Sequence, residues 1–191
     1  DGQIRLGEAD VTGMNVRQRL QAGLAYIPVD RAGTSLVPGF TIAENLAMRD
    51  LDRPPFVRGP FLNVQAIRDA AEKSIAKFGI RAPNARVPAS ALSGGNQQKI
   101  VLARELGREP KVLLAFQPTW GLDPGAVRFV MDQILQLRDA GAAVLYVSAE
   151  LEEVLTLGDQ VAVMSAGKLS PLVSRGQVDA TSVGMLMAGA V

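Results

Sequence analysis

The chain has 191 residues, 48% hydrophobic and 20% charged, with a net charge of +1. That composition is globular, and so small a charge gives no bulk field for nucleic acid or an anionic membrane surface. Cysteine and histidine are both absent, which excludes disulfides, thiolate chemistry and the commonest neutral-pH base and metal ligand.

Residues 2–7 alternate and end at glycine, which predicts a short strand. Val16 to Ala22 predicts a helix stopped by Gly23, and Leu24 to Pro28 a strand closed by proline. Residues 29–39 read as a loop. Thr41 and Glu44 have capping-box spacing, so a helix starts there. Arg53-Pro54-Pro55 and Arg58-Gly59-Pro60 break the chain. Asn63 caps a helix to about Phe78, with Ile67, Ala71, Ile75 and Phe78 on one face. Residues 81–90 read as a linker, and a helix follows from Ser93 to near Gly107.

Residues 112–116 are a continuous apolar run, the pattern of a buried parallel strand. Asp123 and Pro124 open a helix that stops at Gly141 and buries Val127, Val130, Met131, Ile134 and Leu135. Residues 143–147 predict another buried strand, and Ser148 the cap of a short helix carrying Leu151, Val154 and Leu155. Residues 160–164 and 168–173 predict strands joined by an Ala166-Gly167 turn, and 181–191 a short helix or tail. This alternation implies right-handed crossovers and a parallel sheet covered on both faces. The helices between 40 and 107 imply an insert on that sheet.

The stretch Leu92-Ser93-Gly94-Gly95-Asn96-Gln97-Gln98-Lys99 carries the most chemistry. A helix starting at Gly-Gly offers unpaired N–H groups and the positive end of its dipole, and an anion can approach closely. Ser93 suits either a helix cap or a phosphate oxygen. Taken alone, the Ser-Gly-Gly step is explained by an ordinary N-cap.

The whole stretch resembles the signature motif of ATP-binding-cassette proteins. Gln117-Pro118-Thr119-Trp120-Gly121-Leu122-Asp123, at matching spacing, resembles the end of that family's Walker B strand through its D-loop. Tyr26 to Arg31, Leu36-Val37-Pro38 and Glu44-Asn45-Leu46 resemble the Q-loop region of one branch, the second cassette of tandem-cassette importers for simple sugars and nucleosides. Val147 to Val154 and Gly184 to Gly189 are similar to the same branch, the nucleoside importers most of all. The resemblance implies an α/β P-loop NTPase core of residues 1–39 and 108–191, with a helical signature subdomain at 40–107. It implies a subunit coupling ATP hydrolysis to import at the cytoplasmic face of the membrane, with ATP and Mg²⁺ as cofactors. Its implied partners are a first cassette and membrane permease subunits, with no nucleic acid. Ser93, Gly94, Gly95, Gln97 and Asp123 are then expected to serve, in trans, a nucleotide held by the other cassette.

The departures are as informative. No Gly-x-x-x-x-Gly-Lys-Ser/Thr phosphate loop occurs. The expectation is that the chain begins after that loop, binds no nucleotide tightly by itself, and either self-associates through exposed sheet interior or has a partly disordered N-terminal region. Phe116 and Gln117 stand at the Walker B Asp and Glu positions, and Ala149 at the switch histidine position. Val29, beside Asp30, stands at the Q-loop position. Phenylalanine cannot hold a cation's water shell, and glutamine cannot take a proton from water. The cassette's own site is therefore expected to be degenerate, with no competent catalytic residue and no metal ligand. A non-hydrolysing regulatory or interaction module is the alternative these blanks leave open.

The remaining residues have plainer readings. Asp123 is explained as an N-cap, and Trp120 as a packing or partner residue. Glu150, Glu152 and Glu153 read as a solvated helix start, and Arg17, Arg19 and Arg31 as surface charges. Phe56, Val57, Phe61 and Leu62 are either docking residues for membrane subunits or a local cluster under a loop.

Overall fold

A computed structural model describes residues 2–177 and 180–187. They fall into two compact units, one ending at Leu145 and the other starting at Tyr146.

The first unit opens with a hairpin of β1 (Arg5–Leu6) and β2 (Ala9–Asp10), where the sequence predicted one strand. Helix α1 (Val16–Gln21) begins at a reciprocal Asn15–Gln18 capping box. It leads through Gly23, φ 103°, into β3 (Leu24–Ile27). A π-turn, Arg31–Ser35, occupies the predicted loop. Helix α2 (Ile42–Ala47) starts at the Thr41–Glu44 capping box as the spacing predicted. The proline-rich break is a second hairpin, β4 (Val57–Arg58) with β5 (Phe61–Leu62). Helix α3 (Val64–Phe78) buries Ile67, Ala71 and Phe78 and ends at the left-handed Gly79.

Helix α4 (Gly94–Leu106) follows. Every residue from Ile100 to Leu106 is buried, including Arg104 and Glu105 at 3% and 1% exposure. It packs against α2, α3 and β3, so it is a central element. The buried charges are paired: Arg49 Nε and Arg104 Nε lie 2.8 and 2.9 Å from Glu105 Oε1. Burial pulls the Arg104 guanidinium below its ordinary pKa, and the carboxylate beside it opposes that shift.

Strand β6 (Val112–Phe116) lies parallel to β3, pairing Leu24 with Val112 through Ile27 with Ala115. Helix α5 (Pro124–Asp139) buries Val130 and Ile134, while Val127, Met131 and Leu135 stay half-buried. Strand β7 (Ala143–Val147) completes the three-stranded order β3-β6-β7. It is not the buried strand its composition predicted. Leu145 is 60% exposed, and β7 is an edge of the sheet among the described residues.

In the second unit, α6 (Leu151–Leu157) is preceded by Glu150 at its N-cap. Ser148 is not the cap; its hydroxyl accepts from Glu150 N–H before the helix begins. The predicted strand pair is broken into β8 (Gln160–Val161), β9 (Met164–Ser165), β10 (Lys168–Leu169) and β11 (Val173–Ser174). Strand β9 pairs with β10 around Ala166-Gly167, and β8 with β11. Helix α7 (Ala180–Met187) closes the unit, whose core is Val161, Val163 and Val183 with Leu151 and Val154 against it. The predicted tail beyond Met187, including Ala188 and Gly189, lies outside the described residues. Among the described residues no helix is long and apolar enough to cross a membrane.

Candidate functional site

Ser93 occupies the N-cap position of α4 in extended backbone, yet its side chain caps nothing. Its Oγ accepts instead from Asn96 Nδ2 at 3.0 Å, and Asn96 Oδ1 accepts from Arg81 N–H. The hydroxyl proton remains a donor, and the N–H groups of Gly95 and Asn96 that a cap satisfies stay open. Serine and asparagine thus stiffen one another without filling the helix end. The two readings of Ser93 left open by the sequence are separated here: it is a cap by position and not by bonding.

The next three side chains lock this end to its surroundings. Gln97 Nε2 donates to the carbonyls of Ala89 and Leu92, fixing the turn that feeds the helix. Gln98 is buried and donates to Pro118 carbonyl at 2.7 Å. That bond ties the motif to the end of β6. Lys99 donates to Gly79 carbonyl and lies 4.5 Å from the Phe129 ring centre.

Asp123 is the cap of α5, accepting from Gly125 and Ala126 N–H through Oδ1, both at 3.0 Å. Its second oxygen lies 3.5 Å from where a Cβ on Gly95 would sit. The structure therefore brings Ser93, Gly94, Gly95 and Asp123 together. Gln97 belongs to the same turn, but its amide nitrogen is committed to the backbone behind it.

The carboxyl end of β6 is built differently. Phe116 is 40% exposed, and Gln117 follows in left-handed backbone at φ 49°. That conformation is strained for a residue with a Cβ and throws the chain into the Pro118–Trp120 turn. Trp120 is 60% exposed and packs into no core. Among the described residues no group of three or more acidic side chains is placed to hold a metal ion. A Mg²⁺ ion takes oxygen ligands in near-octahedral geometry; a phenyl ring and one glutamine at this strand end do not fit it. At the Q-loop position Val29 is exposed, and Asp30 is spent on the π-turn, accepting from Gly33 N–H through Oδ1 at 2.8 Å. Ala149 is exposed and lies in the second unit.

Arg31 and Glu153, read as surface charges from the sequence, are not, and Gln98 has a role that its motif did not specify. Arg31 is no free surface charge: its Nη1 donates to Trp120 carbonyl at 2.9 Å, and the guanidinium lies over Gly94. Gln98 joins the two motifs. Glu153 is buried, not solvated, and accepts from Tyr146 hydroxyl at 2.6 Å and Ser148 hydroxyl at 3.0 Å. Of these, only Gln98 carried a sequence signal, as a glutamine on the inward face of a buried helix.

The family model described as ABC transporter matches residues 1–120. The nucleoside import ATP-binding protein NupA of Lactococcus lactis subsp. cremoris is 38% identical over 188 residues, covering 98% of this chain and 37% of that protein. The guanosine import ATP-binding protein NupO of Bacillus subtilis is 37% identical with the same coverage. A ribose import ATP-binding protein, RbsA 2 of Rubrobacter xylanophilus, is 38% identical over 170 residues, covering 88% of this chain and 32% of that one. The chain thus spans about a third of the length of these relatives. Among solved structures, the ATP-binding cassette MJ0796, a dimer in a post-hydrolysis state bound to ADP and Pi, superposes with a TM-score of 0.73. It is 20% identical, and the match covers 92% of this chain and 74% of that one, which establishes the α/β ATPase fold.

Proposed function

The chain belongs to the ABC transporter family, and from that premise we propose that it is the second cassette of an importer's ATP-binding subunit for simple sugars or nucleosides. In this reading residues 1–39 and 108–191 form the ATPase core and 40–107 the helical signature subdomain. The nucleotide that matters to it is held by a first cassette, which supplies the phosphate loop. Ser93, the amides of Gly94 and Gly95, Gln97 and Asp123 approach that nucleotide's terminal phosphate from across the interface. The arrangement is lost when hydrolysis removes the phosphate, which gives the subunit a way to alternate.

One observation carries the reading: α4 begins with a serine hydroxyl and backbone amides left uncapped, beside Asp123. Open N–H groups at the positive end of a helix are suited to a phosphate. The cassette's own half is inert, since Phe116, Gln117 and Ala149 supply neither cation ligand nor base. ATP and Mg²⁺ belong to the complete site and not to this chain alone. A purely regulatory module fits the blank positions equally, but it leaves the uncapped signature without a use.

The subunit docks peripherally on permease subunits at the cytoplasmic face of the membrane. Phe61, 75% exposed, and Leu62 at the β4–β5 hairpin are the docking candidates. The outer edge of β7 supports self-association of the isolated chain.

The test is single-turnover hydrolysis in the assembled two-cassette ATPase. Ser93→Arg fills the anion's place and lowers turnover by about a hundredfold or more, whereas Gln117→Ala stays within about twofold. Equal losses from the two substitutions overturn the asymmetric site.

A further inference from the structure

Arg31 is joined to two segments far from it in sequence. Its backbone is fixed by the π-turn: Asp30 caps that turn, and Leu36 N–H donates to Arg31 carbonyl at 2.8 Å. From there the side chain reaches Trp120 carbonyl through Nη1. Nη2 lies 2.7 Å from where a Cβ on Gly94 would stand, and 4.0 Å from one on Gly121. A Cβ at Gly94 would meet the guanidinium and make this end of the Arg31 side chain shift. Among the described residues no carboxylate forms an ion pair with Arg31. Its contacts are therefore those of shape and hydrogen bonding, and the planar fork of arginine is what meets both segments at once.

We propose that Arg31 is a positioning residue, clamping the start of α4 and the Trp120–Asp123 turn to the segment after β3, so that Gly94 and Asp123 face the nucleotide in one fixed geometry. This rests on the in-trans reading of the signature. The clamp touches no reacting atom. It acts by holding N–H donors and a carboxylate in register, where small displacements are costly to rate. It bonds an exposed turn, not the core, so its loss is felt in turnover and hardly in stability.

The experiment uses the assembled two-cassette ATPase carrying Arg31→Ala, Arg31→Lys, Gly94→Ala, the double variant Gly94→Ala with Arg31→Ala, and Ser93→Arg as control. Arg31→Ala lowers kcat about tenfold, leaves KM for ATP within about twofold and shifts the unfolding midpoint by no more than about 2 °C. Arg31→Lys keeps the charge but not the fork and stays with the alanine variant. In the double variant the added methyl no longer meets the guanidinium, so the losses are less than multiplicative. A fully active lysine variant, multiplicative losses, or an unchanged kcat with Arg31→Ala overturns the clamp. If Ser93→Arg abolishes turnover while Arg31→Ala does not change it, the clamp alone fails. If Ser93→Arg leaves turnover intact, the in-trans reading fails and the clamp with it.

Discussion

Gln98 ties the start of α4 to Pro118 at the end of β6, and the two ends are equipped for opposite tasks. At the helix start the groups on offer are donors: a serine hydroxyl and open backbone amides. At the strand end stand an exposed phenyl ring and a glutamine held in strained backbone. Donors suit an anion; a cation and a base-dependent water need carboxylates. The difference teaches that donors for an anion and ligands for a cation are separable features of one fold. In the proposed reading, one half of the nucleotide site stays poised for a phosphate while the other has no chemistry of its own.

The contrast depends on α4 being a rigid platform, and the largest expected effect tests that. Glu105→Ala leaves Arg104 and Arg49 without their shared carboxylate in a buried setting. It should cost about 3–5 kcal/mol by urea unfolding. A cost under about 1 kcal/mol breaks the picture of a locked helix with one open end.

Asp123→Ala is smaller in stability and sharper in meaning. Losing the cap of α5 should cost about 1 kcal/mol. Turnover should fall further than that of a variant of equal stability elsewhere on α5, because the second carboxylate oxygen faces Gly95. Matching losses reduce Asp123 to a cap.

The smallest effect concerns α2, which packs against α4. The hydroxyl and N–H of Thr41 hold the Glu44 carboxyl below the usual range. A carboxyl whose pKa is depressed on folding contributes stability above its unfolded pKa and loses it as pH falls through the folded value. The unfolding difference between the protein and Glu44→Gln should therefore be present near neutral pH and shrink as the pH falls below the ordinary carboxylate range. A difference that grows in acid has the wrong sign.

Features written in neighbouring residues were legible in the sequence. The Thr41–Glu44 box and the Asn63 and Asp123 caps arise from contacts a few residues apart, and the strand at 112–116 is marked by its own apolar run, although its parallel partner β3 is distant in sequence. Features set by distant partners were not. Residues 143–147 have the composition of a buried strand, but exposure is decided by what covers the faces of the sheet at β7. Glu153 reads like its solvated neighbours until Tyr146 and Ser148 are brought to it. Two-residue strands around Gly59-Pro60 look like a break because the turn signal outweighs so short an alternation. Arg31 meets Trp120 across 89 positions, a separation no local pattern encodes.

The most direct measurement of the central claim is photocleavage by orthovanadate trapped with ADP in the assembled two-cassette ATPase, read by mass spectrometry. Vanadate occupies the terminal phosphate's place and cuts the backbone it touches. The predicted result is cleavage of this chain at Ser93, abolished when the first cassette's phosphate loop is disabled. Cleavage confined to the first cassette, or cleavage at Ser93 that survives that loss, contradicts a signature serving a nucleotide held by its partner.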